Sequence, residues 1–435
     1  MSWWKKQSPV CAGSVLFSTT VAPRAENFAF LEGQGIHISP HEAGPEAHWR
    51  LRLEHPTWGK ATLTCLRDMG PVPDLLIDHD PRLSTSERER ARRGRIAVSV
   101  SLEPRTDNVL FERKQLLRFL RAVHGDDGLA VMDHTAQSFW SRQALDEELA
   151  HDAELDILGI FTVHSVGEND RPYWMHSHGF KELGFCEFCL LDPSPALTKA
   201  GGGWDAVRVL AFSIVEGKAR LSGPPVTIVR GAPPVQLIPS ATFLAERGNS
   251  FSQWAEDLDE EHIQGHGVVC DPSRRRCFGL LAGALSPWSF LKTSMEEDLP
   301  LLFSDDATLL MARRARATWQ VLRGLREEFA ELQFPCLVKL RFDLKSGEGE
   351  HLWFEVADTG ENTVDATLVN EPWNDIGIAC GDRREHSLDR LTDWSIMTPA
   401  GQITPRSLTP ARMVREHKDE ILEIMKKAAA ESEKS

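Results

Sequence analysis

From Ile96 to Leu102 apolar and polar residues alternate, the pattern of a strand with one buried face. From Leu110 to Val123 the period lengthens, and Leu116, Leu117, Phe119 and Leu120 recur at helical spacing. The same criteria predict strands over 10–22, 49–53, 60–67 and 129–132, with Pro56 and Gly59 turning the chain between the second and third. A charged helix is expected over Ser84–Arg93, its Glu and Arg residues pairing on a solvated face rather than forming a cation patch. Asp133 or Thr135 can cap a helix running through Phe139, Trp140, Leu145 and Leu149. Strands over 155–164, 172–178 and 185–191 follow, closed by Pro193 and Pro195.

Ala200–Gly203 is a glycine-rich joint, and the apolar run Trp204–Ile214 reads as a central strand. Short strands are expected over 226–229 and 235–238, an acidic amphipathic helix over Phe251–His262, and a hairpin over Gly267–Leu281. Cys270 and Cys277 flank that hairpin's turn; in a reducing compartment they are expected as free thiols. Asp305 or Asp306 caps the longest helix, whose stripe of Ala315, Trp319, Leu322, Leu325 and Phe329 runs on to about Leu332. Pro335 stops it, and it reads as a strut between two halves. Strands over 337–342, 352–356, 365–369 and 394–397 then suggest a small, partly open barrel or curled sheet. A charged helix begins at Thr409.

The fold class is therefore α+β, with a mixed or antiparallel-sheet N-terminal region, a long connecting helix and a small β-rich, barrel-like C-terminal domain. The expected boundaries are 1–200 for an N-terminal module, 201–304 for a middle segment packing on it, 305–333 for the connecting helix, 334–407 for the β-rich domain and 408–435 for the tail.

Composition narrows the function. A net charge of −15 over 435 residues argues against nucleic acid and against anionic membranes as partners. No run of eighteen apolar residues offers a membrane span, and the stretch after Lys5 and Lys6 reads as a strand rather than a secretory signal. Eight dispersed cysteines do not suit a disulfide scaffold, so the expected location is cytoplasmic. Thirteen Trp against one Tyr leave open whether indoles serve the core or an interface.

The run Tyr173-Trp174-Met175-His176-Ser177-His178-Gly179 carries the most suggestive chemistry. Residues two apart on a strand share a face, so His176 and His178 could offer two imidazoles to one metal ion, with His164 or Glu187 as a further ligand. The plainer alternative is that both histidines hydrogen-bond neighbouring backbone. Glu182 is another conceivable ligand. Cys186 and Cys189 form a C-x-x-C without a second pair and read as buried structural cysteines. There is no phosphate loop, nucleophile elbow or dinucleotide fingerprint. Near the C-terminus, His351, Glu371 and Asp393 could meet as an acid/base group, or could form a polar network that fixes turns.

The runs His351-Leu352-Trp353-Phe354-Glu355-Val356, Leu368-Val369-Asn370-Glu371-Pro372, Gly381-Asp382 and Asp393-Trp394-Ser395-Ile396 resemble the YegJ-like domain of unknown function (family 2314) between Phe334 and Gln402. The run Tyr173–Gly179, with Gly184 and Glu187, is similar to the uncharacterised module often fused ahead of that domain (family 4026), with Ser177 where relatives would carry Thr. The resemblance implies a bacterial cytoplasmic protein and no established activity. The functional expectation is a non-catalytic binding protein that recognises another protein, with Trp174, His176, His178, Trp353 and Trp394 as binding residues. The alternative is a metal-dependent hydrolase centred on His176 and His178. No cofactor is expected on the first reading; zinc is the candidate on the second.

Overall fold

Alternating apolar and polar positions build the three sheets of the computed structural model, which describes residues 11–67, 72, 74–168, 171–193, 202–230, 232–272, 285–288, 301–345 and 349–424. The chain divides into two units, each discontinuous in sequence. The first comprises residues 1–78, 91–142 and 157–304; the second comprises 79–90, 143–156 and 305–435.

The first unit holds two sheets. One contains β1 (Cys11–Phe17), β2 (His37–His41), β3 (Ala47–His55), β4 (Gly59–Leu66), β5 (Ile96–Glu103), β6 (Ala130–Asp133) and β7 (Ser138–Trp140). It is antiparallel throughout, in the order β2-β3-β4-β5-β1-β6-β7. Helix Val109–His124 packs on β1 and β5, burying Leu116, Leu117, Phe119 and Leu120. The second sheet contains β8 (Thr162–Glu168), β9 (Arg171–His178), β10 (Glu187–Leu191), β11 (Gln236–Pro239) and β12 (His266–Cys270). Its order is β11-β12-β10-β9-β8, with β10 and β12 parallel.

Four elements differ from the sequence pattern. The strand expected over 155–164 opens instead with a 3-10 turn, Ile157–Gly159, and β8 begins only at Thr162. Phe139 and Trp140 lie in β7, not in a helix, because Gln137 at φ 48° turns the chain back so that they pair with Met132 and Val131. The run at 204–214 is helical (Gly202–Val215). Eight of its residues, from Ala206 to Val215, are buried apolar side chains on every side, so no polar face marks the helical period. The acidic segment at 251–262 is two short helices, Ser252–Asp257 and Glu260–Ile263, parted by an extended Leu258. Cys277 lies outside the described residues.

The second unit holds β13 (Cys336–Asp343), β14 (Gly349–Thr359), β15 (Thr363–Leu368), β16 (Arg383–Ser387), β17 (Leu391–Thr398) and β18 (Gly401–Ile403). This sheet is antiparallel, in the order β16-β15-β14-β13-β17-β18, and open rather than closed into a barrel. Its apolar face is covered instead by helices, so closure is unnecessary. The expected strut is two helices, Asp305–Ala317 and Trp319–Glu328. They break at Thr318, whose hydroxyl donates to the Arg314 carbonyl (2.8 Å) and accepts from Trp394 Nε1 (3.0 Å). Ala315, Trp319, Leu322 and Leu325 join Val338, Leu340, Phe354 and Trp394 in one core, so these helices belong to the second unit's own interior.

Segments 79–90 and 143–156, read from sequence as part of the N-terminal module, are held in this unit by buried ion pairs. Arg314 meets Glu148 (3.0 Å) and donates to the carbonyls of Pro405 and Glu154. Arg412 meets Glu87 (3.1 Å) and Glu147, and donates to the Arg82 carbonyl. Among the described residues, no helix is long and apolar enough to cross a membrane.

Candidate metal centre

Strand β9 presents Trp174, His176 and His178 on one face by simple alternation. Its partner β8 sets His164 directly opposite His176 and Thr162 opposite His178. The three imidazoles thereby converge, each offering a ligand atom within 4.8 Å of the others. Two nitrogens on one tetrahedral zinc stand roughly 3.4 Å apart, so small side-chain rotations close this triangle onto an ion. The indole of Trp174 stacks on His176 with ring centroids 4.0 Å apart, forming one wall.

Two more histidines complete the cluster. His262 lies within the short helix Glu260–Ile263 and His266 opens β12. The His262 ring lies 4.8 Å from that of His176 and 5.6 Å from that of His178. His266 lies farther off, at 6.5 and 6.4 Å, and is buried.

Burial, reinforced by the neighbouring rings, pushes His176 down to about 2 and His178 to about 3. Burial and then His262 push His266 to about 4, and lower His164. These four rings are therefore neutral at physiological pH, the state that ligates a metal. Buried His176 Nδ1 has no hydrogen-bond partner among the described residues, and neither has His262 Nε2.

Glu187 is not in this set. Its carboxylate accepts from Ser177 Oγ (2.5 Å), the Gly179 N–H (2.8 Å) and the Lys181 N–H (2.8 Å), fixing the turn just beyond His178. Its role is to hold the strand end that carries the site. Glu182 is exposed. Burial pushes the Cys186 thiol up to about 11 and Cys189 to about 12; Cys189 is buried, as expected of a structural thiol, whereas Cys186 is half-buried.

In the second unit no hydrogen bond joins His351, Glu371 and Asp393 among the described residues. His351 Nδ1 bonds Thr392 Oγ1 (3.0 Å), and Asp393 pairs with Arg406 (2.5 Å) while accepting from the Trp394 N–H. Glu371 is exposed; the carboxylate that organises its turn is Glu350, which accepts from the N–H groups of Trp373 (2.5 Å) and Asn374 (3.2 Å). Trp394 is fully buried and so cannot meet a partner. Trp174 is likewise buried, and Trp353 is half-buried beneath Lys339, whose Nζ stands 5.2 Å from its ring.

Residues 309–420 match a family described as an uncharacterized protein conserved in bacteria (DUF2314). The match is wider at both ends than the run of motifs from Phe334 to Gln402, and takes in helix Trp319–Glu328 and most of helix Asp305–Ala317. It does not reach the N-terminal unit. Neither the curated proteins nor the solved structures contain a match to the chain.

His262 and His266 escape a local reading because they lie far along the chain from His164 and belong to no strand pair with it. The one signal is their spacing of four, next to the helix-capping Asp259.

Proposed function

We propose that the N-terminal unit binds a divalent transition-metal ion through His164, His176 and His178. The convergence of three neutral imidazoles from adjacent strands carries this reading. An all-imidazole set suits zinc, copper, nickel or iron(II) rather than magnesium or calcium, which take oxygen ligands. On this reading the chain is a non-catalytic binding protein of the cytoplasm whose ligand is a metal ion. Hydrolysis would require, beyond the metal, a substrate cleft over these histidines.

Recognition of another protein is a separate proposal for the second unit, where Trp373 stands 70% exposed on the turn held by Glu350.

The test is elemental analysis and zinc titration of the tag-free protein beside its His176→Ala/His178→Ala variant. One equivalent of zinc, bound at micromolar concentration or tighter and lost in the variant, is the expected result. Equal metal content in both proteins would overturn the proposal.

A further inference from the structure

Among the cluster's five histidines, His262 differs in how it is held. Asp259 caps helix Glu260–Ile263 by accepting the His262 backbone N–H (2.9 Å), and the same carboxylate oxygen bonds His262 Nδ1 (2.7 Å). A carboxylate oxygen only accepts, so Nδ1 carries a proton, and Nε2 is the nitrogen left to offer a lone pair to an ion. That nitrogen is buried and has no partner among the described residues, while the side chain as a whole is 16% exposed. A carboxylate that fixes the tautomer of an imidazole is the usual support behind a metal-ligating histidine.

We propose that His262 is a fourth ligand of the metal centre, oriented by Asp259, so that the ion clasps the acidic segment 252–266 to the β8–β9 hairpin. This rests on the three-histidine reading above. Imidazoles on one tetrahedral ion have ring centroids roughly 5 Å apart. The His262 ring meets that spacing against two of the three histidines, His176 (4.8 Å) and His178 (5.6 Å); the compact ligand set is His164, His176 and His178, so His262 joins it by a rotation of its side chain toward the ion. His266 stands too far from both and packs behind His262, at 5.3 Å. The segment is already seated at a neighbouring point, where the Tyr173 hydroxyl donates to Asp257. It also carries Glu256, Asp257, Asp259, Glu260 and Glu261, whose mutual repulsion a divalent cation offsets.

The experiment uses the full chain, stripped with chelator and titrated with zinc, with amide hydrogen exchange followed across residues 252–266. In wild type, zinc is expected to protect this segment. His262→Ala should weaken zinc binding by about 100-fold or more and abolish the protection, and Asp259→Asn, at an exposed position, by about 10- to 100-fold. His37→Ala, at an exposed histidine of another sheet, should change neither. Wild-type affinity in both His262→Ala and Asp259→Asn, with binding lost in His176→Ala, would overturn the fourth ligand and leave the three-histidine site standing. Absence of micromolar zinc binding in wild type would overturn both.

Discussion

Gly179 stands where β9 ends, one residue past His178, at φ 129°. A Cβ there would lie 2.3 Å from the Ile160 carbonyl oxygen and 2.9 Å from Phe161 Cα, both backbone atoms that cannot swing aside. The residue is thus required by close approach as well as by conformation. Its N–H also feeds Glu187, which ties the turn to β10. Gly179→Ala should cost at least about 2 kcal/mol of unfolding free energy and loosen His178 from its neighbours. Chemical denaturation read beside zinc affinity checks this; an unchanged midpoint would mean the turn tolerates a side chain. Asp259 makes the same point with a polar group, since one carboxylate both starts a helix and selects a histidine tautomer.

At the scale of elements, the six-stranded sheet shows what alternation makes legible. Leu352, Phe354 and Val356 turn inward, while His351, Trp353 and Glu355 face away, as the sequence indicates. His351 is half-buried on that outer face, and burial, with Lys339 and Arg341 nearby, pushes it from an ordinary 6.5 down to about 4. A histidine with a depressed folded pKa adds stability above its unfolded pKa, and that contribution is lost as pH falls through the folded value. The second unit should therefore lose on the order of 2 kcal/mol between pH 7 and pH 4 through this group. Thr392 donates its hydroxyl proton to the Lys339 carbonyl and so accepts from His351 Nδ1; His351→Asn, which keeps a donor for Thr392 and removes the titration, should flatten that part of the profile. Denaturation midpoints at the two pH values decide it, and parallel profiles would exclude His351 as the source. Alternation was informative here because each strand has one wet face. It was uninformative for helix Gly202–Val215, buried all round, and for the break at Thr318, which depends on a tertiary bond from Trp394. Three of the cluster's five histidines were legible: His176 and His178 share a strand face and His164 lies on the strand before it, whereas His262 and His266 are brought in by the course of the chain.

For the molecule as a whole, the division into units does not follow the order of the sequence. The second unit's sheet and the helices that share its apolar core lie within 305–435, and the family match falls inside that stretch, yet Arg314 and Arg412 find their carboxylates on residues 87, 147 and 148. Both arginines are buried, and a buried guanidinium without its partner is costly, by about 3–5 kcal/mol where one side of the pair is removed. Glu148→Gln in the full chain should show a loss of that order. A fragment spanning 305–435 loses all three carboxylates, together with the Arg82 carbonyl and the Ser84 hydroxyl that meet Arg412 and Glu416. It should melt well below the corresponding transition of the intact chain, or fail to fold cooperatively. The comparison is by calorimetry of fragment, full chain and Glu148→Gln. If the fragment melts where the intact unit does, the inserted segments are accessories and the family domain is self-sufficient. If it melts early and Glu148→Gln moves the same transition, the inserted segments are part of the domain's core, and its boundary must be drawn through three stretches of the chain.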